Sequence, residues 1–582
     1  MELSAIRHRN SYCECYAVDQ DSVILLLQTG KDADSAFVIC EDPFINQLYG
    51  KPQWYGERVP MPERLELEHH YLWRVQLKPA YKRLQYYFEI VSDGQSYLLF
   101  EDRVCPIEDK DKRSLQYFKF PWINPADVIA PPKDIRNTVW YQIMPDRFCK
   151  AKGTNTDERF KEWEQPDEPY FHSNYGGNLR GVIERMNYLQ ELGIGGIYFT
   201  PVFRAGSYHK YNTFDYEIID PDFGTNDDMK ELVRQAHQRG IKVMLDGVFN
   251  HCGMEWFAWK DVCEKGRASR YFDWFFINTD DFNNGKPNTD DGRYYTFSFW
   301  ARMPKLNTNN EEVIRYFTDL CVRWVREWDI DGIRFDVGDE ISHHFMASLR
   351  RALKAVKPEL FLLGEIWFDS IDWLHGSEYD SVMNYPLSNC LNDFFSHEEM
   401  TAQELMYSMN ECLTMYPRQI TEVLFNFLDT HDTERAFESC HGNKDILLQR
   451  LALLLTLPGT PCIYYGTELA LKGLNKYDNR QCMPWERIDR GDYKEFFSEV
   501  QKLLLLRRQH SLCSAYSTEI HPDASQPRLL KVVKKDGSKQ LEILLNAGNE
   551  PITPQLHGKV LYSNAFDGTT LLPNGTVICE TT

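Results

Sequence analysis

The chain has 582 residues, a formal net charge of -21 and fifteen cysteines. That length exceeds what one hydrophobic core supports and calls for roughly three or four domains. The acidic balance has the wrong sign for nucleic acid or an anionic membrane surface as partner.

The first twenty residues, MELSAIRHRNSYCECYAVDQ, contain no apolar h-region and no cleavage-like site, so no secretory signal is expected. No run approaches the ~18 apolar residues of a membrane span, since LALLLTLPGTPCIYY (451–465) is broken by Pro458 and Pro461. It reads as a buried helix end followed by a strand. The cysteines are odd in number and scattered, which fits buried thiols in a reducing cytoplasm better than a disulfide framework. Cys13 and Cys15 have one residue between them and no second pair at zinc-ligand spacing, so no metal is expected there.

Residues 1–125 carry short alternating runs, YLWRVQL (71–77), RLQYYFEI (83–90) and SYLLF (96–100), with turn-rich breaks such as SDGQ (92–95). This predicts an N-terminal β-sandwich. Residues 126–137 form the main part of a proline-bearing linker, WINPADVIAPPKDIRN (122–137). From Val139 strands alternate with amphipathic helices: VWYQI (139–143), GIGGIYFT (193–200), IKVMLDGV (241–248), GIRFDV (332–337), LFLLGEI (360–366), SVMNYP (381–386), VLFNFLDT (423–430) and PCIYYGTEL (461–469). Eight such units predict an α/β fold, a (β/α)8 TIM barrel over residues 138–508. About sixty aromatic-rich residues separate the third strand from a helix near Glu311, longer than an ordinary loop. Residues 251–310 are therefore expected to form a small inserted subdomain. Short strands and turns over 509–582 predict a C-terminal β-domain.

Three carboxylates sit where apolar strand-like runs break into polar loops: Asp336, Glu365 and Asp432. Acids at the carboxyl ends of different barrel strands converge on one pocket. Two such groups are the minimal machinery for cutting a glycosidic bond. Arg334, two residues before Asp336, shares its face of the strand, and a cation there should keep a nucleophilic carboxylate ionised. Glu365 follows Phe361, Leu362 and Leu363 and precedes Trp367, an apolar setting that favours a protonated acid. An aromatic content of 14% suits a protein that stacks flat sugar faces.

The segments DGVFNH (246–251), GIRFDVGDE (332–340), GEIW (364–367) and FLDTHD (427–432) resemble, in order, the four signature regions of the α-amylase family, glycoside hydrolase family 13. The resemblance covers nearly the whole chain. It narrows to the cyclomaltodextrinase, neopullulanase and maltogenic amylase group at YQIMPDRF (141–148), HKYNTFDYEIIDPDFG (209–224) and MPKLN (303–307). It implies a retaining α-glucan hydrolase acting on the α-1,4 and also α-1,6 bonds of cyclodextrins, maltooligosaccharides and pullulan, with transglycosylation as a side activity. Asp336 would be the nucleophile, Glu365 the general acid/base and Asp432 the acid that holds ring hydroxyls in the transition state. His209, Tyr211, His251 and His431 would line the cleaved unit's subsite, Asp215 would organise its loop, and Asp246, Asn250 and Arg334 would support it. Trp367 would shape the acceptor site.

Two departures from the group are visible. Gly338-Asp339-Glu340 stands where an Asn-Glu pair is usual. Cys149, Lys150, Ala151, Lys152 and Asn178 stand where relatives offer calcium ligands, which argues against that ion. No cofactor is required by the chemistry. The group also implies a homodimer formed through the N-terminal domain. A dedicated transglycosylase, branching or isomerising enzyme on the same scaffold remains open, as does a non-catalytic carbohydrate-binding subunit.

Overall fold

The computed structural model describes residues 1–112, 114–164, 173–474 and 478–581. Two compact units divide the chain: residues 1–130 with 374–376 and 400–421, and the remainder. In the first unit, a four-stranded antiparallel sheet orders Cys15–Ala17, Val23–Gly30, His70–Leu77 and Glu63–Glu66. A six-stranded sheet is built on Ser35–Glu41 and Leu84–Ser92. Strand alternation explains the core between them. Val23, Leu25 and Leu27 join Val38, Trp73, Val75, Phe88 and Ile90, while Ile24 and Leu26 point to the other face and pack with Tyr16. The helix Ala402–Thr414 belongs to this unit, its Asn410 amide donating to the Glu66 carbonyl at 2.9 Å.

The second unit contains eight parallel barrel strands, here numbered in chain order. They are β1 (Trp140–Ile143), β2 (Gly196–Phe199), β3 (Lys242–Gly247), β4 (Gly332–Phe335), β5 (Phe361–Gly364), β6 (Ser381–Val382), β7 (Phe425–Phe427) and β8 (Thr460–Tyr464). Their order is β6-β5-β4-β3-β2-β1-β8-β7, and a parallel bridge between Met383 and Phe425 brings the two edges together. Trp140, Tyr198, Met244, Phe361, Leu363, Phe425 and Cys462 share one buried cluster. Such an interior is a packed core, and function is left to the loops at the strands' carboxyl ends.

The predicted strands SVMNYP and PCIYYGTEL end well before their expected bounds. SVMNYP stops at Val382 because Pro386 occupies the first turn of the helix Tyr385–Ser396, capped by Asn384. PCIYYGTEL becomes a short 3-10 turn after Gly466, whose φ of 87° ends the strand. The helix expected near Glu311 spans Glu311–Trp328. Asn310 caps it by accepting from the Glu312 and Val313 amides, and Val313, Phe317, Leu320, Trp324 and Trp328 recur at three- and four-residue steps on its buried face.

Residues 251–310 carry their own aromatic cluster: Trp259 packs edge-on against Phe275 at 4.8 Å and tilted on Tyr294 at 4.9 Å. The C-terminal region is a five-stranded antiparallel sheet from Thr518–Asp523 to Leu571–Thr581. No helix among the described residues is long and apolar enough to cross a membrane.

Candidate active site

The nucleophile candidate lies just beyond β4, where the Asp336 amide still donates to the Gly247 carbonyl at 3.1 Å. The chain then turns sharply: Val337 adopts φ 48° and ψ 50°, the left-handed region, where a β-branched residue is strained. The turn is held from β5. The Val337 amide donates to Glu365 Oε2 at 2.9 Å, the Gly338 amide to the Glu365 carbonyl at 2.9 Å, and the Glu365 amide to the Phe335 carbonyl at 3.0 Å. A side chain at Gly338 would lie 2.9 Å from the Tyr379 hydroxyl and 3.2 Å from the Glu365 backbone, so only glycine fits this crossing.

Arg334, wholly buried, is the electrostatic centre of the pocket. Its Nη1 donates to Asp246 at 2.9 and 2.7 Å and to Asp336 Oδ1 at 3.0 Å, and its Nη2 lies 2.8 Å from Glu365 Oε2. The register of β3 on β4, which pairs Asp246 with Arg334, builds this contact into the sheet. The Nη2 contact is an ion pair without good hydrogen-bond direction, and Nε is buried with no hydrogen-bond partner among the described residues. Three carboxylates thus share one guanidinium. Burial pushes the Asp336 carboxyl well above the usual carboxylate range; Arg334 opposes that, while Glu365, Asp246 and Asp432 add to it. The sequence expectation that a cation at Arg334 favours the ionised Asp336 describes one of these opposing effects. An i, i+2 spacing shows the cation but not the burial or the acids contributed by neighbouring strands.

Asp432 has the opposite environment. Burial disfavours its charge too, yet His431 at 2.9 Å, Arg480 at 3.1 Å and the more distant Arg334 hold it below the usual range. The His431 ring is held by three contacts from two residues. Its Nδ1 meets the Gln142 amide at 2.8 Å, its Nε2 meets the Tyr211 hydroxyl at 2.7 Å, and it stacks on Tyr211 with centroids 5.3 Å apart. The Tyr211 hydroxyl also donates to Asp246 Oδ2 at 3.0 Å, which ties the Asp432 side of the site to the Arg334 cluster. His209 stacks on Tyr211 at 5.9 Å, and burial and then Arg480 push its pKa down to about 3. His251 faces the Tyr211 carbonyl at 3.0 Å and stacks on Phe297 at 4.9 Å. Burial chiefly, with Lys305 adding, pushes His251 down to about 3, so both imidazoles are neutral near pH 7. Asn250, fully buried, accepts from the Lys305 ammonium.

Trp367 is half exposed, stacks on Tyr385 at 3.8 Å and points its Nε1 at Glu365 Oε1, 3.3 Å away. Every site residue expected from the sequence except Asp215 therefore falls into one contact network. Asp215 accepts from the Glu217 amide instead. Asp220, in the same segment, pairs with Lys210 at 2.8 Å and accepts from the Ala205 and Asp222 amides at 3.0 Å each. Sequence reasoning missed Gln142, Tyr198, Lys305, Tyr385 and Arg480 as site members. Of these, Gln142 lies within YQIMPDRF and Lys305 within MPKLN, whereas Tyr198, whose hydroxyl donates to Asp246 Oδ2 at 3.0 Å, Tyr385 and Arg480 lie outside the family motifs.

The residues that stand in place of calcium ligands do not fit a hard cation. Asn178 Oδ1 is committed to the Gly181 amide at 2.8 Å as a helix cap, and its Nδ2 donates to Thr154 at 2.7 Å. The Asn155 amide group donates to the Gly176 and Asp222 carbonyls at 2.9 and 2.7 Å, so a donor occupies the space between carbonyl oxygens.

The α-amylase catalytic-domain model matches residues 142–502, and the N-terminal Ig-like domain model of the same family matches residues 1–124. A cyclomaltodextrinase of Geobacillus thermopakistaniensis (strain MAS1) is 38% identical over 587 residues, covering 100% of this chain and 97% of that one. An intracellular maltogenic amylase of Bacillus subtilis (strain 168) is 38% identical over 513 residues, covering 88% and 85%. A solved cyclomaltodextrinase structure superposes with a TM-score of 0.89 at 32% identity over 100% of both chains.

Proposed function

The chain belongs to the α-amylase family and is a glycoside hydrolase, and on that premise we propose a retaining enzyme that cleaves α-1,4 bonds of cyclodextrins and maltooligosaccharides. The observation that carries this reading is the seating of Asp336 and Glu365 on adjacent nitrogens of one guanidinium, at 3.0 and 2.8 Å. Such sharing favours the roughly 5–5.5 Å separation of a retaining pair over the wider, water-filled inverting arrangement.

In this mechanism Glu365 gives its proton to the glycosidic oxygen while Asp336 attacks the anomeric carbon, and the leaving sugar departs with that proton. A covalent glycosyl-enzyme results. Glu365, now a carboxylate, takes a proton from water, which attacks the same carbon and releases Asp336. In the free enzyme burial favours a proton on Asp336. Attack requires Asp336 as the carboxylate, the form that Arg334 at 3.0 Å favours against that burial. Asp432, ionised and fixed by His431 and Arg480, accepts from ring hydroxyls as the sugar flattens. Neutral His209 and His251 offer hydrogen bonds without adding positive charge near the oxocarbenium-like centre. The half-exposed face of Trp367 supports a second sugar as acceptor, hence transglycosylation beside hydrolysis, and α-1,6 cleavage of pullulan is the second activity to assay.

A homodimer formed through the N-terminal domain is part of the proposal, supported by the apolar exposure of Phe44, Leu48 and Tyr49 at 49%, 60% and 62%. Among the described residues all fifteen cysteines are free thiols, which supports a cytoplasmic enzyme. Product analysis on β-cyclodextrin, soluble starch and pullulan tests the substrate claim. Higher catalytic efficiency on β-cyclodextrin than on starch, with maltose and glucose released, is expected. Faster starch cleavage releasing long oligosaccharides would contradict it.

A further inference from the structure

We infer that Lys305 is a positioning residue whose ammonium joins the returning end of the inserted segment to the loops that carry His251 and Asp336. This rests on the function proposed above. The main chain at Lys305 already lies beside the site: it bridges His251 antiparallel, the Cys252 amide donates to the Pro304 carbonyl at 3.1 Å, and the Leu306 amide to the Asn250 carbonyl at 2.9 Å. The side chain then crosses to a third segment. Its Nζ donates to Asn250 Oδ1, to Glu340 Oε2 at 2.7 Å and to the Glu340 carbonyl at 3.3 Å.

Glu340 lies four residues after Asp336 and ends the short turn Gly338–Glu340 that follows the strained Val337. An ammonium is a compact charge with three donors, and here three acceptors from two loops take them. An exposed lysine–glutamate pair would contribute little. This one is different because the Lys305 side chain is only 20% exposed and Asn250 is fully buried, so losing the ammonium strands a buried acceptor. His251 follows Asn250 directly, and its ring meets the Tyr211 carbonyl at 3.0 Å. A shift of the Asn250–His251 loop is therefore passed to Tyr211 and His431. On the other side, release of Glu340 loosens the turn that aims Asp336. Lys305 touches neither Asp336 nor Glu365 among the described contacts, so its effect is on geometry.

The test is steady-state kinetics of Lys305→Met and Lys305→Arg on β-cyclodextrin, with Glu340→Ala as an independent cut of the same junction. Lys305→Met is expected to lose roughly 10–100-fold in kcat with KM changed by less than about threefold, the signature of misplaced reacting groups. Lys305→Arg should recover most of that loss, and Glu340→Ala should show a smaller fall of the same kind with its circular dichroism unchanged. Lys305→Met within twofold of the parent in kcat, or a loss confined to KM, overturns the inference. So does full activity in Glu340→Ala where Lys305→Met does not fold. A parent enzyme inactive on every α-glucan would instead overturn the proposed function.

Discussion

Asp336 and Asp432 are both aspartates beside cations, yet their surroundings drive them in opposite directions. Burial and the neighbouring acids raise Asp336, whereas His431 and Arg480 hold Asp432 down against its burial. A carboxyl raised by folding lowers stability as pH climbs from its unfolded value near 4 through its folded value, and the penalty then persists at neutral pH. Asp336→Asn removes that penalty while Arg334 keeps Asp246 and Glu365. The variant should be inactive yet more stable than the parent by about 1 kcal/mol at pH 7, with the gain vanishing near pH 4. Urea titrations at the two pH values measure this; an equal or lower stability at pH 7 would contradict the direction given for Asp336. Asp432 behaves conversely, contributing stability above about pH 4 that is lost on acidification. Glu365→Gln should cripple natural glucans, whose leaving sugar needs protonation, but should retain the glycosylation step on an α-glycosyl fluoride. If the fluoride reacts no faster than a glucan in that variant, Glu365 is not the acid.

At the scale of elements, the turn from β4 to Gly338 is where strain and chemistry meet. Val337 sits at φ 48°, and its amide anchors Glu365 at 2.9 Å. A left-handed residue with a side chain costs about 1–2 kcal/mol, so Val337→Gly should stabilise the protein by about 1 kcal/mol while lowering kcat, because the anchor loosens. A marked fall in melting temperature would mean that the turn is not strained. The strands themselves were legible in the sequence because barrel strands buried on both faces read as apolar runs. Their ends were less so, as the early helix at Tyr385 shows. The three acids and their histidines were legible because they lie in motifs at strand ends. Arg480 was not: it reaches Asp432 and the His431 carbonyl from a loop with no periodicity. Nor could a linear pattern show that Asp246, Asp336 and Glu365, from three strands, converge on one arginine. Register across a sheet has no signature along the chain.

For the whole molecule, the amides of Asn155 and Asn178 satisfy the oxygen-rich corner beside β1 without a metal. Chelation with EDTA should leave melting temperature and activity unchanged, because no ligand-linked stability is there to lose. A drop of several degrees reversed by calcium would contradict that account of the corner. The central claim is that a barrel of eight short strands brings two acids close enough on Arg334 for a double-displacement reaction. Proton NMR of the first product released from a maltooligosaccharide, followed before mutarotation, tests it most directly. The account predicts that the new reducing end appears as the α anomer, the configuration retained through a glycosyl-enzyme on Asp336. An initial β anomer would mean direct attack by water and would contradict both the role of Asp336 and the retaining mechanism.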